Sequence, residues 1–518
     1  MLTGYGADDT HVGAGSNSVL GLERKDAVQL SARERYSPYV VELVGTFLLT
    51  IAYICNLSNN NSAWAVSSNA LMLFGLFSAF GHISGANLNP SVSISLYLSG
   101  RKSVGTMGWC FLMQSIGAAL AAVVARFCMG KGVAVDIGPK PGFNAIEAAL
   151  VEVLFTSMIS FVFLSCAASW NNNPSRDPNQ FAAIAIAFSV VAGSQACRRV
   201  SGSVMNPAIA IGLQLSNLTT EKKTGWAMLY LMCEIFGALL ASCAFRVVRP
   251  MERRDSGPVA APRNAHRSAS VFAEFLGTFY TVLTKAMVHN SFASEEAWAV
   301  AAALACMVYS LRGVSGAFFN PAVTLSVYLC GGFPDLYVVG TYLGAQTLGA
   351  VSGTSVFALI GTGVDLELTP VEVTNARSSA MLVETLFMFL ICYVVLTTSH
   401  TSPLASSGTR HNNVGGLAVA GAYLVSIVAT NRVSGGVLNP AVALGYSGLA
   451  GIIGDASSIC LPYIVYEAIG AFVASAAYSV THKSTAKALP GSSLPRFAGL
   501  TAEEADIVRV SCHSAAHP

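Results

Sequence analysis

The second half of this 518-residue chain repeats the first half, block by block and in one register. The matching blocks are VELVGTF (41–47) with AEFLGTF (273–279), SGANLNPSVSISLYLSG (84–100) with SGAFFNPAVTLSVYLCG (315–331), LVEVLF (150–155) with LVETLF (382–387), and RVSGSVMNPAIAIG (199–212) with RVSGGVLNPAVALG (432–445). Several blocks at a nearly constant spacing do not arise by chance. The chain therefore contains two copies of one fold.

Apolar stretches that suit a bilayer recur along both copies. A transmembrane helix needs about 20 apolar residues. Twelve stretches approach that length, near 39–57, 63–80, 105–125, 147–167, 181–197, 226–247, 271–289, 297–311, 337–360, 379–398, 414–429 and 459–480. Charged residues make up only 11% of the chain, too few to cover a soluble protein of this size. We therefore predict an all-α membrane protein with 12 transmembrane helices. The near balance of 29 basic and 27 acidic side chains argues against nucleic-acid binding.

Each copy is itself doubled around the motif S-G-x-x-x-N-P. Asn caps a helix and Pro suits its first position, but only about ten weakly apolar residues follow, too few to span the bilayer. We predict re-entrant half-helices that begin at mid-depth. Because an odd number of helices separates successive motifs, the half-helices of a unit enter from opposite faces and meet at their positive dipole ends. Such a site repels cations and offers amide donors to uncharged solutes.

These motifs resemble those of the aquaporins, or major intrinsic proteins. The boxes are Asn89-Pro90-Ser91, Asn206-Pro207-Ala208, Asn320-Pro321-Ala322 and Asn439-Pro440-Ala441. The family pattern of six transmembrane helices and two re-entrant half-helices fits the chain twice. The resemblance implies two aquaporin-like units with non-identical pores, which pass water and small uncharged solutes (urea, ammonia, glycerol or peroxide) without a cofactor or metal. Since the family assembles four pores, a homo-oligomer of two chains in the lipid bilayer is expected.

The expected organisation is a cytosolic N-terminal tail (1–37), a first unit (38–248), a basic cytosolic linker (249–268), a second unit (269–481) and a cytosolic C-terminal tail (482–518). Six spans per unit place both tails and the linker on one side of the membrane. Lys and Arg are concentrated there, which assigns that side to the cytosol. The sequence does not distinguish a plasma membrane from a vacuole-type membrane.

Carboxylates recur inside the apolar helices, where a charge costs about 2.5–3.5 kcal/mol. By resemblance, four of them accept hydrogen bonds from the re-entrant loops and have a structural role: Glu42, Glu152, Glu274 and Glu384. Glu234 and Glu467 lie in the sixth helix of each unit, where relatives usually carry Pro. We expect a structural hydrogen bond there, and a proton site is the open alternative.

The resemblance also marks four positions per unit that narrow the outer mouth, the selectivity filter. They are Asn69, Ser194, Ser203 and Ile209 in the first unit, and Val300, Ile427, Gly436 and Val442 in the second. Neither set contains the family's aromatic residue or its Arg. We expect a wide, mildly polar first filter and a wide, aliphatic second filter similar to that of tonoplast intrinsic proteins. Arg199 and Arg432 are candidates to replace the missing Arg, and a solvated loop position is the alternative.

Two other classes of protein remain open from sequence alone. One is a structural or adhesion membrane protein with closed pores, and the other is a coupled secondary transporter with broken helices. Enzyme activity has no support, because the sequence shows no Ser-His-Asp set, metal cluster or phosphate-binding loop. Osmotic swelling of vesicles discriminates between a channel and a closed protein.

Overall fold

The computed structural model describes residues 32–58, 62–129, 137–173, 179–217, 225–252, 263–289, 293–333, 335–361, 366, 368, 376–400, 414–453 and 460–482. Most of both predicted tails and residues 253–262 of the predicted linker lie outside these ranges. The helices of the first unit are α1 (Ala32–Ser58), α2 (Ser62–Ser84), α3 (Pro90–Leu98), α4 (Val104–Met129), α5 (Ala145–Phe163), α6 (Ala182–Cys197), α7 (Pro207–Ser216) and α8 (Trp226–Val248). Those of the second unit are α9 (Arg263–Met287), α10 (Ala293–Ser315), α11 (Pro321–Leu329), α12 (Leu336–Leu359), α13 (Ala376–His400), α14 (Gly415–Ser434), α15 (Pro440–Ile453) and α16 (Cys460–Thr481).

Each unit has six long helices and two short ones in the predicted order. The short helices α3, α7, α11 and α15 begin at the four Asn-Pro motifs and run for 9 to 14 residues. Nine of the long helices in the described ranges are apolar enough to cross a membrane on composition alone. Below, the inner face is the one at which α1 begins, and the outer face is opposite.

Two helices begin earlier than the apolar stretches indicate. α1 starts at Ala32, inside the predicted N-terminal tail, and α9 starts at Arg263, inside the predicted linker. Hydropathy marks only the part of a helix that lies in lipid, so a polar extension of the same helix is not visible in it.

The same close helix crossing recurs in both units. A Cβ atom at Gly117 on α4 would lie 2.3 Å from the carbonyl oxygen of Leu43 on α1. At the matching place in the second unit, a Cβ atom at Gly349 would lie 2.5 Å from the carbonyl oxygen of Phe275. Only glycine permits this approach, which is how helices pack tightly without a hydrophobic driving force in lipid.

The two units meet along one face of each. Helices α9 and α10 of the second unit pack on α5 and α6 of the first. The Ser157 and Tyr280 hydroxyl groups are 2.5 Å apart, and Arg198 forms an ion pair of 2.5 Å with Glu295. The equivalent faces, α1–α2 of the first unit and α13–α14 of the second, form no comparable contact with each other in the described part of the chain.

The first residues of the predicted linker are buried and bind both units. Glu252 pairs with Arg101 at 2.6 Å and with Arg249 at 3.3 Å. Arg249 also donates to the carbonyl oxygen of Ser310 on α10, at 3.0 Å. The start of the linker therefore fixes the second unit against the first at the inner face.

Candidate functional site

The two half-helices of the first unit meet end to end at its centre. Asn89 caps α3 and Asn206 caps α7, each through its side-chain oxygen. The Asn89 amide donates to the carbonyl oxygen of Met205 at 2.9 Å, and the Asn206 amide donates to that of Leu88 at 2.9 Å. An Asn amide carries two N–H groups, so each box Asn keeps one donor for the space between the helices.

Buried carboxylates hold the loops that lead into the half-helices. Glu42 accepts from the backbone N–H groups of Asn87 and Leu88, both at 2.9 Å. Glu152 accepts from those of Val204 at 3.0 Å and Met205 at 2.7 Å. The second unit repeats this arrangement, with Glu274 binding Phe318 and Phe319, and Glu384 binding Val437 and Leu438. These bonds satisfy backbone groups that lipid would leave unpaired.

The same loops contain residues in the left-handed region of φ. Ala86 and Leu88 have φ values of 43° and 49°, and Ser203 and Met205 have 60° and 48°. Such a conformation costs about 1–3 kcal/mol for a residue other than Gly. The carboxylates offset this strain, and the loop carbonyls are thereby presented at fixed places.

Glu234 and Glu467 lie beside the second box of each unit. Glu234 accepts from the backbone N–H of Asn206 at 2.8 Å. Glu467 lies beside the Asn439 backbone and the Glu384 carboxylate, but among the described residues neither of its carboxylate oxygens has a hydrogen-bond partner, so the expected structural hydrogen bond is not seen there. Both side chains are fully buried. The contact of Glu234 agrees with a structural hydrogen bond, and the alternative of a proton site stays untested.

A cavity of about 50 Å³ lies at the centre of the first unit, between its filter positions and its half-helix ends. At roughly 10–15 Å³ per water molecule, it can hold a short file of them. Its wall contains both box asparagines and the four predicted filter residues, Asn69, Ser194, Ser203 and Ile209. Much of the remaining wall is apolar, including Leu49, Leu73, Val92, Ile159, Phe163, Ile186 and Val190. The structure therefore brings together in one lumen the two box asparagines and the four filter residues that the sequence assigned to this pore, whereas the other box residues, Pro90, Ser91, Pro207 and Ala208, are not part of its wall.

Two further side chains fix the first filter. The Tyr53 hydroxyl donates to the carbonyl oxygens of Gly202 and Ser203, at 3.0 and 2.8 Å. Asn56 donates to the side-chain oxygen of Asn69 at 2.6 Å. Neither residue is predicted by the sequence, because nothing in an apolar helix marks which polar side chain faces a lumen.

The box pair of the second unit has additional side-chain contacts, one of them a long contact of 3.9 Å from the Asn320 amide to the Met388 sulfur. The Asn439 amide donates to the carbonyl oxygen of Phe319 at 3.0 Å, and the Asn320 amide donates to that of Leu438 at 2.9 Å. The Asn320 amide also donates to the Tyr423 hydroxyl, at 2.7 Å. Asn320 is 0% exposed, whereas the other three box asparagines are 4–7% exposed.

The second filter is aliphatic and more fully buried than the first. Val300, Ile427 and Val442 are 1–2% exposed, compared with 4–7% for the four residues of the first filter. The ammonium group of Lys285 on α9 donates to the carbonyl oxygen of Gly436 at 2.9 Å and to Glu296 at 2.8 Å. A buried cation therefore lies at this filter. A Lys and a Glu in apolar helices were signals that could have revealed the pair.

Arg199 and Arg432 are both exposed near the outer face. Arg199 lies in the turn after α6, and Arg432 lies in the last turn of α14. Arg199 is not among the residues that line the first lumen. These positions favour the solvated alternative over a role in the filter.

Comparison with known proteins decides the family. The sequence profile described as "Major intrinsic protein" matches residues 29–176, 155–296 and 263–478. The chain belongs to the major intrinsic protein family. It is 27% identical to Aquaporin NIP1-1 of Zea mays over 45% of this chain and 81% of that protein, and 31% identical to Aquaporin A of Dictyostelium discoideum over 42% and 80%. The structure of the aquaglyceroporin from Plasmodium falciparum covers 42% of this chain and 97% of its own, at 20% identity and a TM-score of 0.35.

This membership confirms the predicted fold class of an all-helical membrane protein with tandem aquaporin-like units. The chain is a multi-pass integral membrane protein of this family and a passive channel for water or small solutes. The similarity of the second filter to tonoplast intrinsic proteins stays a prediction.

Proposed function

We propose that the chain carries two non-identical pathways and that the first unit conducts water together with small uncharged solutes of the urea, ammonia, glycerol or peroxide type. The observation that carries this proposal is the single lumen that touches both box asparagines and all four filter residues of that unit. None of the residues lining it is charged. A neutral solute can therefore exchange its water hydrogen bonds for those of the Asn69, Asn89 and Asn206 side chains.

Ion exclusion in this pathway rests on the half-helices. The N-termini of α3 and α7 point at the same region, each with about half a positive charge. Because no Arg completes the filter, these dipoles supply most of the barrier to cations. The free cross-section that an Arg would occupy is left to solutes larger than water.

The test uses the purified full-length chain in lipid vesicles. Osmotic swelling is measured with water alone and with urea or glycerol gradients. Ser194→Trp fills the first filter and should remove most of the water and solute permeability. Val123→Trp, on the exposed surface of α4 and away from the α1–α2 and α5–α6 faces, is the matched control and should leave it unchanged.

Permeability no greater than that of empty vesicles would instead support the closed structural protein. A solute flux that requires a proton or sodium gradient would support the coupled transporter. Flux that is undiminished by Ser194→Trp would show that the first lumen is not the pathway.

We also infer that two chains assemble into a ring of four units, with the inner face in the cytosol. Within one chain, α9–α10 pack on α5–α6, while the equivalent α1–α2 and α13–α14 faces stay uncovered. Repeating the same contact with a second copy closes the ring by a twofold axis. Leu48 and Phe389 are the counterparts of Tyr280 and Ser157, which touch across the unit interface.

Cysteines at these two counterparts test the ring. A chain carrying Leu48→Cys and Phe389→Cys should form covalent dimers on mild oxidation in vesicles, and neither single variant should do so. Monomers throughout would contradict this assembly.

A further inference from the structure

Tyr423 makes a contact that has no equivalent in the first unit. It lies on α14, is buried, and its hydroxyl is 2.7 Å from the amide nitrogen of Asn320. With the Leu438 carbonyl as the second acceptor, both N–H groups of Asn320 are engaged. Within the described ranges, the amides of Asn89, Asn206 and Asn439 each donate to one backbone carbonyl only. The donor that a permeating oxygen needs is therefore occupied at Asn320 alone.

The counterpart of Tyr423 in the first unit is Val190, which lines the open lumen. Beside the boxes, an aromatic ring of that lumen comes from α5, as Phe163, and its counterpart in the second unit is Val395; the other aromatic residue of the lumen, Tyr53, lies at the filter. The two units thus exchange an aromatic and an aliphatic residue between the fourth and fifth long helices. Total side-chain volume is nearly conserved, as packed interiors require, but only the second unit has a hydroxyl that reaches a box Asn.

A small cavity in the second unit lies on the inner side of its boxes. It is lined by Arg312, Gly316, Ala317, Phe318 and Tyr423, together with Thr398 and apolar residues of α10, α11, α13 and α14. The box asparagines and the filter residues of the second unit are not part of its wall. Tyr423 forms part of its wall. On the other side of the Tyr423 ring lie Asn320, whose two amide N–H groups already have acceptors, and the buried aliphatic filter.

We propose that Tyr423 closes the second pathway at its boxes, so that each chain conducts through its first unit only. The phenol hydroxyl occupies the place of a permeating oxygen on Asn320, and the ring fills the space beside it. This inference rests on the proposed channel function and specifies which of the two pathways carries the flux.

The first test measures water permeability of full-length variants in vesicles at equal protein content. Tyr423→Val installs the residue of the first unit and should raise permeability to about twice the wild-type value, since a second pathway opens. Tyr423→Phe removes only the hydroxyl bond and should give a smaller rise. Tyr337→Val, at an exposed position in the first turn of α12, is the matched control and should have no effect.

The second test transfers the closure. Phe163→Val combined with Val190→Tyr should bring the permeability close to that of empty vesicles. Adding Val395→Phe and Tyr423→Val to the same chain should restore it through the second unit, which also shows that the exchanged side chains are compatible with folding.

Three results would overturn the proposal: wild-type permeability in a monodisperse Tyr423→Val protein, undiminished flux after the transfer, or no restoration in the fourfold variant. If neither the wild type nor Tyr423→Val exceeds empty vesicles, the channel function itself is wrong. If the wild type conducts and Tyr423→Val does not increase the flux, only the role of Tyr423 is wrong.

Discussion

The two units share a scaffold and differ along their axes. Both have paired half-helices, buried glutamates on the re-entrant loops, and a glycine where the first and third long helices cross. The differences are concentrated at the filter and beside the boxes, where Val190 faces one lumen and Tyr423 binds the box Asn of the other. Once backbone contacts fix the loops, side chains in the lumen can change without unfolding the unit.

The loop carbonyl at the filter accepts a hydrogen bond from a different kind of side chain in each unit. Tyr53 in the first unit and Lys285 in the second are counterparts, and both donate to carbonyl oxygens of the loop before the second box. A neutral hydroxyl needs no further partner, whereas a buried ammonium group requires a counter-charge. Glu296 supplies it, and the counterpart of Glu296 in the first unit is Ala65.

The largest effect should come from breaking that charged pair. Lys285→Met leaves Glu296 buried without its cation, which we expect to cost about 3–5 kcal/mol of stability. The matched change in the first unit, Tyr53→Phe, removes a neutral hydrogen bond and should cost about 1 kcal/mol. Thermal unfolding of the detergent-solubilised chain, followed by circular dichroism, measures both.

Combining Lys285→Met with Glu296→Ala should recover most of the loss, because the uncompensated charge is removed as well. If Lys285→Met destabilises the chain no more than Tyr53→Phe does, the Lys285–Glu296 pair does not stabilise the second filter in the way proposed.

A smaller effect should follow from giving the first filter the arginine it lacks. We expect Ile209→Arg to reduce glycerol swelling about tenfold and water permeability about twofold, since the side chain occupies cross-section that larger solutes need. Val442→Arg in the Tyr423→Val background tests the same change in the opened second unit. Equal losses of water and glycerol flux would indicate general obstruction rather than selection by size.

Sequence patterns were sufficient for the scaffold but not for the lumen. The Asn-Pro boxes, the half-helices and the buried glutamates follow from spacing and from the cost of a charge in an apolar helix, and the described helices begin at the predicted motifs. Tyr423 was missed because a tyrosine in an apolar helix is ordinary, and the direction it faces depends on helix packing. Lys285 and Glu296 carry the same kind of signal as Glu42, yet their pairing joins two helices and is visible only in three dimensions.

The position of Arg432 could not be predicted from the sequence either, because it depends on where α14 ends. Its place seven residues before a box Asn suggested a loop that could bend into the mouth. Helix α14 instead continues to Ser434, so Arg432 lies on the exposed surface of a regular helix. The end of α14 lies only a few residues beyond its predicted position. That shift is enough to point the Arg432 side chain away from the mouth.

The buried start of the linker keeps the two kinds of unit together in one molecule. Because one polypeptide joins the two units, and Arg249 and Glu252 contact both of them, every chain delivers one unit of each kind in a fixed order. A ring closed by two chains would then alternate the two kinds of unit around its centre. Separately encoded subunits can mix in any proportion that expression supplies, whereas this fusion sets the ratio at one to one by synthesis alone.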